Sequence, residues 1–521
     1  MNILLLLILT HASSFEVKTF QQDISHFRST ANGKFNQTYI IDDRFSNGDP
    51  NSTVVIQISD LWKLNTESPF FSTTTKIAEL TNSTLLTIEN RYFGNSRPFD
   101  VYSPENMSYL SINEIMADVI SIVNSLFPNS SHNFVIGGGD AGAIASFLRT
   151  KYPQYISSSW SSLSPLLFQT TFADYDYNII YRLYKRDQSC FEQIQNLIYD
   201  LNKSISFGDY STRSASLSYF GLPPTINDST AFYLISEFFG ELDKINEDTH
   251  YMDKICDELQ LTPRVYGAYF NSTLEYLKLT QTEIDPTFLN ETDLTDNQKN
   301  VKSTWHLRCF DLGRFHVPPP QGTAHSIFFR SPLVDSKFYE NICQNLFGKS
   351  KIGDFSLYNI EYNGNSPQIS NAIFTVDPYG AYNSLMANVK SDSYNELYIE
   401  QMNYSLINQD LMDKKFNETA QITDAREKLI SHAVKWIQAQ NNKKMCVHGT
   451  WYNNKCICES EYNGEYCSER ERSKKLFKNV SAVAIIVPTF ILIVASVILW
   501  NTLLVYDGNY RLNSFRNEIM F

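Results

Sequence analysis

The sequence predicts an α/β fold, a parallel sheet wrapped by helices and interrupted by a mostly helical insertion. Three observations carry this. Short apolar runs, STVVIQIS (52–59), STLLTIEN (83–90) and NFVIG (133–137), surround an amphipathic helical stretch, SINEIMADVISIVNSLF (111–127). Strands alternating with helices build parallel sheets. From about 166 to 344 the pattern turns helical, as in SCFEQIQNLIYDL and STAFYLISEFFGELDKI. A strand then returns, ISNAIFTV (369–376), and TDAREKLISHAVKWIQAQ closes the body as a helix. A sheet interrupted by a helical insertion is the plan of a capped α/β-hydrolase.

The 521 residues, 43% hydrophobic and 14% aromatic, suffice for two or three domains with large cores. The net charge of -13 argues against a nucleic-acid surface, which needs concentrated Lys and Arg. Residues 1–14 carry an apolar stretch followed by small residues, the layout of a signal peptide. Val480 to Trp500 is free of charge. At about 1.5 Å per residue it spans the roughly 30 Å hydrocarbon core, so 480–505 is assigned as a transmembrane helix and 506–521 as a cytoplasmic tail. The polar tail rules out a glycolipid-anchor signal. The cluster Arg470, Arg472, Lys474, Lys475 and Lys478 then lies outside, against the positive-inside rule, but the leader and the glycosylation pattern outweigh it. That pattern is a set of N-x-S/T sequons at Asn36, Asn51, Asn82, Asn106, Asn129, Asn202, Asn227, Asn271, Asn290, Asn403, Asn417 and Asn479. Together these features predict a single-pass secretory-pathway glycoprotein at the plasma or endo-lysosomal membrane, its main domain extracellular or lumenal.

Eight cysteines in an exported chain should mostly be paired. For Cys190, Cys256, Cys309 and Cys343 three connectivities are open. The stretch CVHGTWYNNKCICESEYNGEYC, with Trp451 where a third cysteine would stand, resembles the second half of an epidermal growth factor-like module. That resemblance implies Cys446–Cys456 and Cys458–Cys467 bridges, and the secretory setting favours them over a zinc site. The expected plan is a core in two parts, 15–165 and 345–442, a cap at 166–344, and a stalk at 443–470.

The chemistry turns on NFVIGGGDAGAIASFLRTKYP (133–153), an apolar strand that meets three glycines and enters a helix. In a nucleophile elbow a serine stands between glycines as G-x-S-x-G, because glycine tolerates the strained turn and close approach. Here the middle of Gly138-Gly139-Asp140-Ala141-Gly142 is an aspartate. Gly137, Gly139 and Gly142 also satisfy G-x-G-x-x-G, but the acidic ribose-binding residue expected about 20 residues on is missing, so no dinucleotide or other cofactor is expected.

Several motifs then resemble one family in order. DISHFRSTANGKFNQTYIID, IENRYFGNSRPF (88–99), LSINEIMADV, FLRTKYP (147–153), STWHLRCFDLGRF and ENICQNLFG are similar to elements of the serine carboxypeptidase family that contains prolyl carboxypeptidase, dipeptidyl peptidase II and the thymus-specific serine protease. The resemblance covers roughly residues 18–442. It implies an α/β-hydrolase fold and a Ser, Asp, His triad that releases residues after proline.

The triad must be found residue by residue. Aligned without a gap, the family's elbow puts Gly139 at the serine position; shifted by one, it puts Asp140 there. FTVDPYGAY (374–382) matches the acid element, with Asp377 as the retained acid. The family's histidine falls near Asn403 or Tyr404, and no histidine lies between His325 and His432. His432 reads as a structural residue of the closing helix. IQISDLW (56–62) lacks the glycines of the family's oxyanion loop, and Asn90 replaces a histidine of the RYFG motif. The resulting expectation is a membrane-anchored homologue that no longer cuts and binds a peptide or protein ligand, with a homodimer left open. The alternatives are an active serine exopeptidase whose nucleophile escapes this alignment, and a hydrolase with an Asp140 nucleophile. In the bland reading Asp140 is simply a helix N-cap.

Overall fold

The computed structural model describes residues 15–470 except 50–51, 131, 259–264, 320–329, 350–351, 392–396, 402–410, 415–417, 442–448, 453–454, 459–461, 464–466 and 468. The expected signal peptide, the membrane span with its tail, and Asn51, Asn403, Tyr404, Asn417 and Cys446 lie outside the described residues. Among those described, no helix is long and apolar enough to cross a membrane.

The chain opens with β1 (Glu16–Asp23) and β2 (Lys34–Asp42), then β3 (Val54–Ile58), α1 (Ser72–Thr81), β4 (Thr84–Ile88), α2 (Pro104–Met107) and α3 (Ile112–Leu126). Next come β5 (Asn133–Gly138), α4 (Gly139–Lys151) and β6 (Ile156–Ser162). An insertion follows: β7 (Gln169–Phe172), α5 (Asp174–Arg186), α6 (Gln188–Phe207), α7 (Tyr210–Ser218), α8 (Asp228–Thr249), α9 (Tyr251–Glu258), α10 (Val265–Tyr276), α11 (Gln281–Ile284), α12 (Asp296–Leu307) and β8 (Gly313–His316). The chain returns through α13 (Ser336–Phe347) and α14 (Ser356–Tyr362) to β9 (Ala372–Val376), β10 (Leu397–Gln401) and α15 (Ala420–Asn441).

One sheet has the order β1-β2-β4-β3-β5-β6-β9-β10. Only β2 runs against the other strands, antiparallel to β1 and β4; from β4 to β10 every pairing is parallel. This is the α/β-hydrolase sheet, built from the alternation read in the sequence. β3 and β4 are buried on both faces, which is why they read as continuous apolar runs. Val54, Ile56 and Ile58 join the large core under α3, α4 and the insertion, while Val55 joins Phe134, Trp160, Ile373 and Trp436 on the opposite face beneath α1 and α15. α3 begins where predicted because Ser111 caps it, accepting from the Glu114 N–H at 3.2 Å.

The disulfides Cys190–Cys256 and Cys309–Cys343 resolve the open pairing, both within the region from the insertion to α13. In the C-terminal segment two hairpins, β11 (Gly449–Tyr452) with β12 (Lys455–Cys458) and β13 (Tyr462–Asn463) with β14 (Glu469–Arg470), flank the Cys458–Cys467 bond. Cys456 is also disulfide-bonded.

The motifs RYFG, DISHF and LSINEIMADV meet at one point. Arg91, fully buried, grips Asp118 of α3 through Nε and Nη2 at 2.7 and 2.5 Å and faces Glu114 at 3.3 Å. It also donates to the carbonyls of Ile24 and Tyr109, while the His26 ring meets Asp118 at 2.8 Å. Beside it, Glu89 accepts from the N–H groups of Leu64 and Asn95. A Cβ on Gly94 (φ +52°) would collide with that carboxylate.

Candidate functional site

The topology gathers the candidate residues at the carboxyl ends of the parallel strands, where ligands bind in open α/β sheets. Asp60 follows β3, Gly139 follows β5 and Asp377 follows β9.

Of the two alignments across the elbow, the backbone favours Gly139. It has φ +55° at the strand-to-helix junction, the strained geometry of a nucleophile position, and a Cβ placed on it would meet nothing within 4 Å. A side chain there would project into open space. Its flanking glycines are needed for a different reason. A Cβ on Gly137 would lie 2.5 Å from the Ala141 carbonyl oxygen, and one on Gly142 would lie 2.6 Å from that of Gly137. The elbow therefore keeps its strand–helix packing while its reactive position carries no side chain.

Asp140 is not the N-cap. Gly138 holds that place without a side-chain cap, and Asp140 sits in the first turn of α4, where a carboxylate suits the positive end of the helix. Its Oδ1 accepts from Arg314 Nη2 at 2.5 Å. Arg314 has φ +59° on β8, and its guanidinium lies over the rings of Phe168 and Tyr382 at 5.5 and 5.8 Å.

The place of the oxyanion loop is also altered. The Leu61 N–H is taken by Asp60 Oδ1 at 2.8 Å, so an amide that could face an oxyanion is already spent. Asp60 is reachable by solvent yet walled in by protein, and this confinement raises its pKa. Lys244 and the Leu61 N–H pull it down and Asp140 pushes it further up. Asn90 fastens this loop, donating to the carbonyls of Ser59 and Asp60 at 3.0 Å each. A carboxylate beside the vacant position opposes the negative charge that acyl transfer must stabilise.

Asp377 is buried directly after β9, and its Oδ1 accepts from the Tyr379 N–H at 2.8 Å. Asn403 and Tyr404 fall outside the described residues. His432 is half-buried on α15, and burial, aided by Lys428 and Lys435, lowers its pKa.

The imidazole that does belong to this region is His316, which sequence reasoning missed. With the ring neutral, Nδ1–H donates to Glu237 Oε1 and Nε2 accepts from the Tyr382 hydroxyl, each at 3.0 Å. Tyr175 stacks on it with centroids 3.6 Å apart. Burial is the main cause that brings His316 down to about 4, opposed by Glu237. Burial alone would raise Glu237, but His316 and Arg330 outweigh it and hold the carboxyl ionised. Arg330 reaches Glu237 at 2.9 Å and Asp176 at 2.9 and 3.0 Å. Arg314 lies within the motif STWHLRCFDLGRF and His316 directly follows that motif, both upstream of Asp377 and not downstream, where the family's histidine lies.

The profile described as Serine carboxypeptidase S28 matches residues 22–429. The chain belongs to that family. A probable serine protease, EDA2, of Arabidopsis thaliana is 23% identical over 322 residues, covering 56% of this chain and 60% of that protein. The lysosomal Pro-X carboxypeptidase of Homo sapiens is 25% identical over 166 residues, 30% of this chain and 33% of that protein. A putative serine protease, F56F10.1, of Caenorhabditis elegans is 23% identical over 241 residues and is covered over 43% of its length. The chain thus spans 60% or less of the length of these curated relatives. Among solved structures, proline iminopeptidase from Mycobacterium smegmatis is similar at 7% identity and a TM-score of 0.33, covering 81% of this chain and 100% of that one.

Proposed function

We propose that this S28 family member does not act as a serine peptidase and uses the cleft between sheet and insertion to hold a peptide. The reading rests on Gly139. The position with the elbow's positive φ and an open approach bears no nucleophile. Asp60 in the oxyanion loop and the absence of any histidine between His325 and His432 point the same way. Without hydroxyl, base and oxyanion donors together, serine attack has no route.

The setting we propose is a membrane-anchored ectodomain on an epidermal growth factor-like stalk, displayed in the secretory pathway. The relatives named as lysosomal or extracellular peptidases agree with that location. Described sequon residues such as Asn36, Asn82, Asn129, Asn227, Asn271 and Asn290 are exposed, as glycan attachment requires.

The test is labelling of the purified chain with a fluorophosphonate probe. No stoichiometric label is expected, and Gly139→Ser alone should remain unlabelled. Gly139→Ser combined with Asn403→His is the variant in which labelling could return. Strong labelling of the unmodified chain, abolished by denaturation, would overturn the reading.

A further inference from the structure

Between residues 182 and 330 the arginines whose side chains are described are paired, with one exception. Arg314 has Asp140, Arg330 has Asp176 and Glu237, and Arg182 has Asp243. Among the arginines whose side chains are described, Arg308 alone has a guanidinium that makes no hydrogen bond or ion pair to any described residue. Its five N–H donors have no acceptor among the described residues.

Arg308 stands where the backbone departs from the regular helix. It opens the π-helical turn Arg308–Leu312 that follows α12 and ends at Gly313 (φ +62°). Such turns recur at functional sites because they re-aim side chains. The guanidinium lies 5.9 Å from the centroid of Trp305 and within electrostatic reach of Glu237, Tyr233, Tyr339 and Tyr382. Glu237 would be its natural partner, but Glu237 is already committed to His316 and Arg330.

Tyr233 supplies a second, independent observation. It is only 7% exposed, and its ring is fixed against Trp305, Phe338 and Tyr339 at 5.9, 5.5 and 6.2 Å. Its hydroxyl nevertheless makes no hydrogen bond among the described residues. Tyr339 and Tyr382, its neighbours, spend theirs on the His316 carbonyl and the His316 ring. Tyr233 and Arg308 lie against the same Trp305 ring, and both present donors that no described residue accepts. A planar carboxylate is the group that such a fork and hydroxyl complete.

We propose that Arg308 and Tyr233 form a carboxylate-binding site on the insertion wall of the cleft, taking a carboxylate of the bound peptide. The inference rests on the peptide-holding reading above. Through the stack of Tyr382 and Arg314 the site adjoins the Asp140–Arg314 pair, so a peptide anchored there would run past the vacant Gly139.

The experiment measures binding of fluorescent peptides to the full chain in three forms: free C-terminal acid, C-terminal amide, and amide with an internal glutamate. The acid form should bind about 10- to 100-fold more tightly than the amide, the range for charge-assisted hydrogen bonds. An internal glutamate that restores affinity would assign the carboxylate to a side chain instead of the terminus, and either source supports the site. Arg308→Gln should abolish the preference, Tyr233→Phe should reduce it several-fold, and Arg308→Lys should keep part of it. Unchanged melting temperatures of these variants show that they fold. A second arm uses propionate alone, whose stabilisation of the chain should vanish in Arg308→Gln. Equal affinity for acid and amide forms, or a preference that survives Arg308→Gln, overturns the site while leaving the peptide-holding reading intact. Binding of neither form overturns that reading. The site stands alone in that case only if propionate still stabilises the chain through Arg308, and falls otherwise.

Discussion

The Arg91 hub and the Gly139 elbow are two points where the chain resembles its family, and they differ in what they keep. At the hub every group has its partner. One guanidinium binds two carboxylates and three carbonyls, and three separated motifs close on it. At the elbow the glycines that let strand and helix approach remain, while the position that would react carries no side chain. Asn90 adjoins both: it belongs to the hub's motif and ties down the loop that carries Asp60. The difference separates the physical reasons for a motif. Residues that satisfy buried charge hold the fold whether or not chemistry occurs, whereas a nucleophile contributes nothing to folding.

The comparison breaks most visibly at the hub. Arg91→Ala leaves Asp118 and Glu114 buried without their cation, a change that costs about 3–5 kcal/mol. A lower yield of folded chain and a large fall in the urea midpoint are the expected outcomes. A midpoint within experimental error of the unmodified chain would show that the hub is not structural. The elbow's packing glycine should be felt next. In Gly142→Ala the new Cβ lies 2.6 Å from the Gly137 carbonyl oxygen and collides with the Ser164 hydroxyl, and such overpacking costs about 1–3 kcal/mol. Denaturant unfolding measures it directly.

His306 sharpens the comparison from the opposite side, because it is a buried polar group that neither fold nor chemistry uses. Both ring nitrogens lack a partner among described residues, and the ring packs on Phe310 and Phe347. Burial, with a smaller push from Lys349, lowers its pKa to about 3. A histidine depressed in the folded state contributes stability that is complete above its ordinary value near 6.5. That contribution is lost as the pH falls toward 3, by at most about 1.4 kcal/mol per pH unit. His316, lowered to about 4, acts in the same direction over the upper part of that window. His306→Leu should therefore raise stability by about 1–2 kcal/mol at pH 7 and flatten the acid limb of the unfolding curve. A variant whose slope between pH 6.5 and 4 matched the unmodified chain would place that linkage elsewhere.

Much of this was legible in the sequence. The strands β3, β4, β5 and β9 declared themselves as doubly buried apolar runs, and Ser111 marked the start of α3. The family motifs were legible because each is local. The β1–β2 hairpin carries a half-exposed pattern that no apolar run announces, and β6, ISSSWSS, is buried despite its serines. The cleft was least legible. Glu237, His316 and Tyr382 come from α8, β8 and the loop after β9, separated by 79 and 66 residues, and only the insertion folding over the sheet brings them together. A serine elbow has a fixed local spacing, so its absence is legible; the Glu237–His316–Tyr382 network has no local spacing.

The smallest effect is the most discriminating. Gly139→Ala places a methyl in open space, so no packing is disturbed, and the only cost is the left-handed backbone, about 1–2 kcal/mol for a residue with a Cβ. Gly139→Ser should cost the same, since the hydroxyl also points into the cleft. In an enzyme that binds through its reacting centre, a methyl there would obstruct the ligand. If the peptide is instead anchored on the insertion wall, Gly139→Ala should lower the melting temperature slightly and leave peptide affinity within about twofold, a shift of roughly 0.4 kcal/mol. A tenfold loss of affinity beside the same slight drop in melting temperature would place the ligand on the elbow itself.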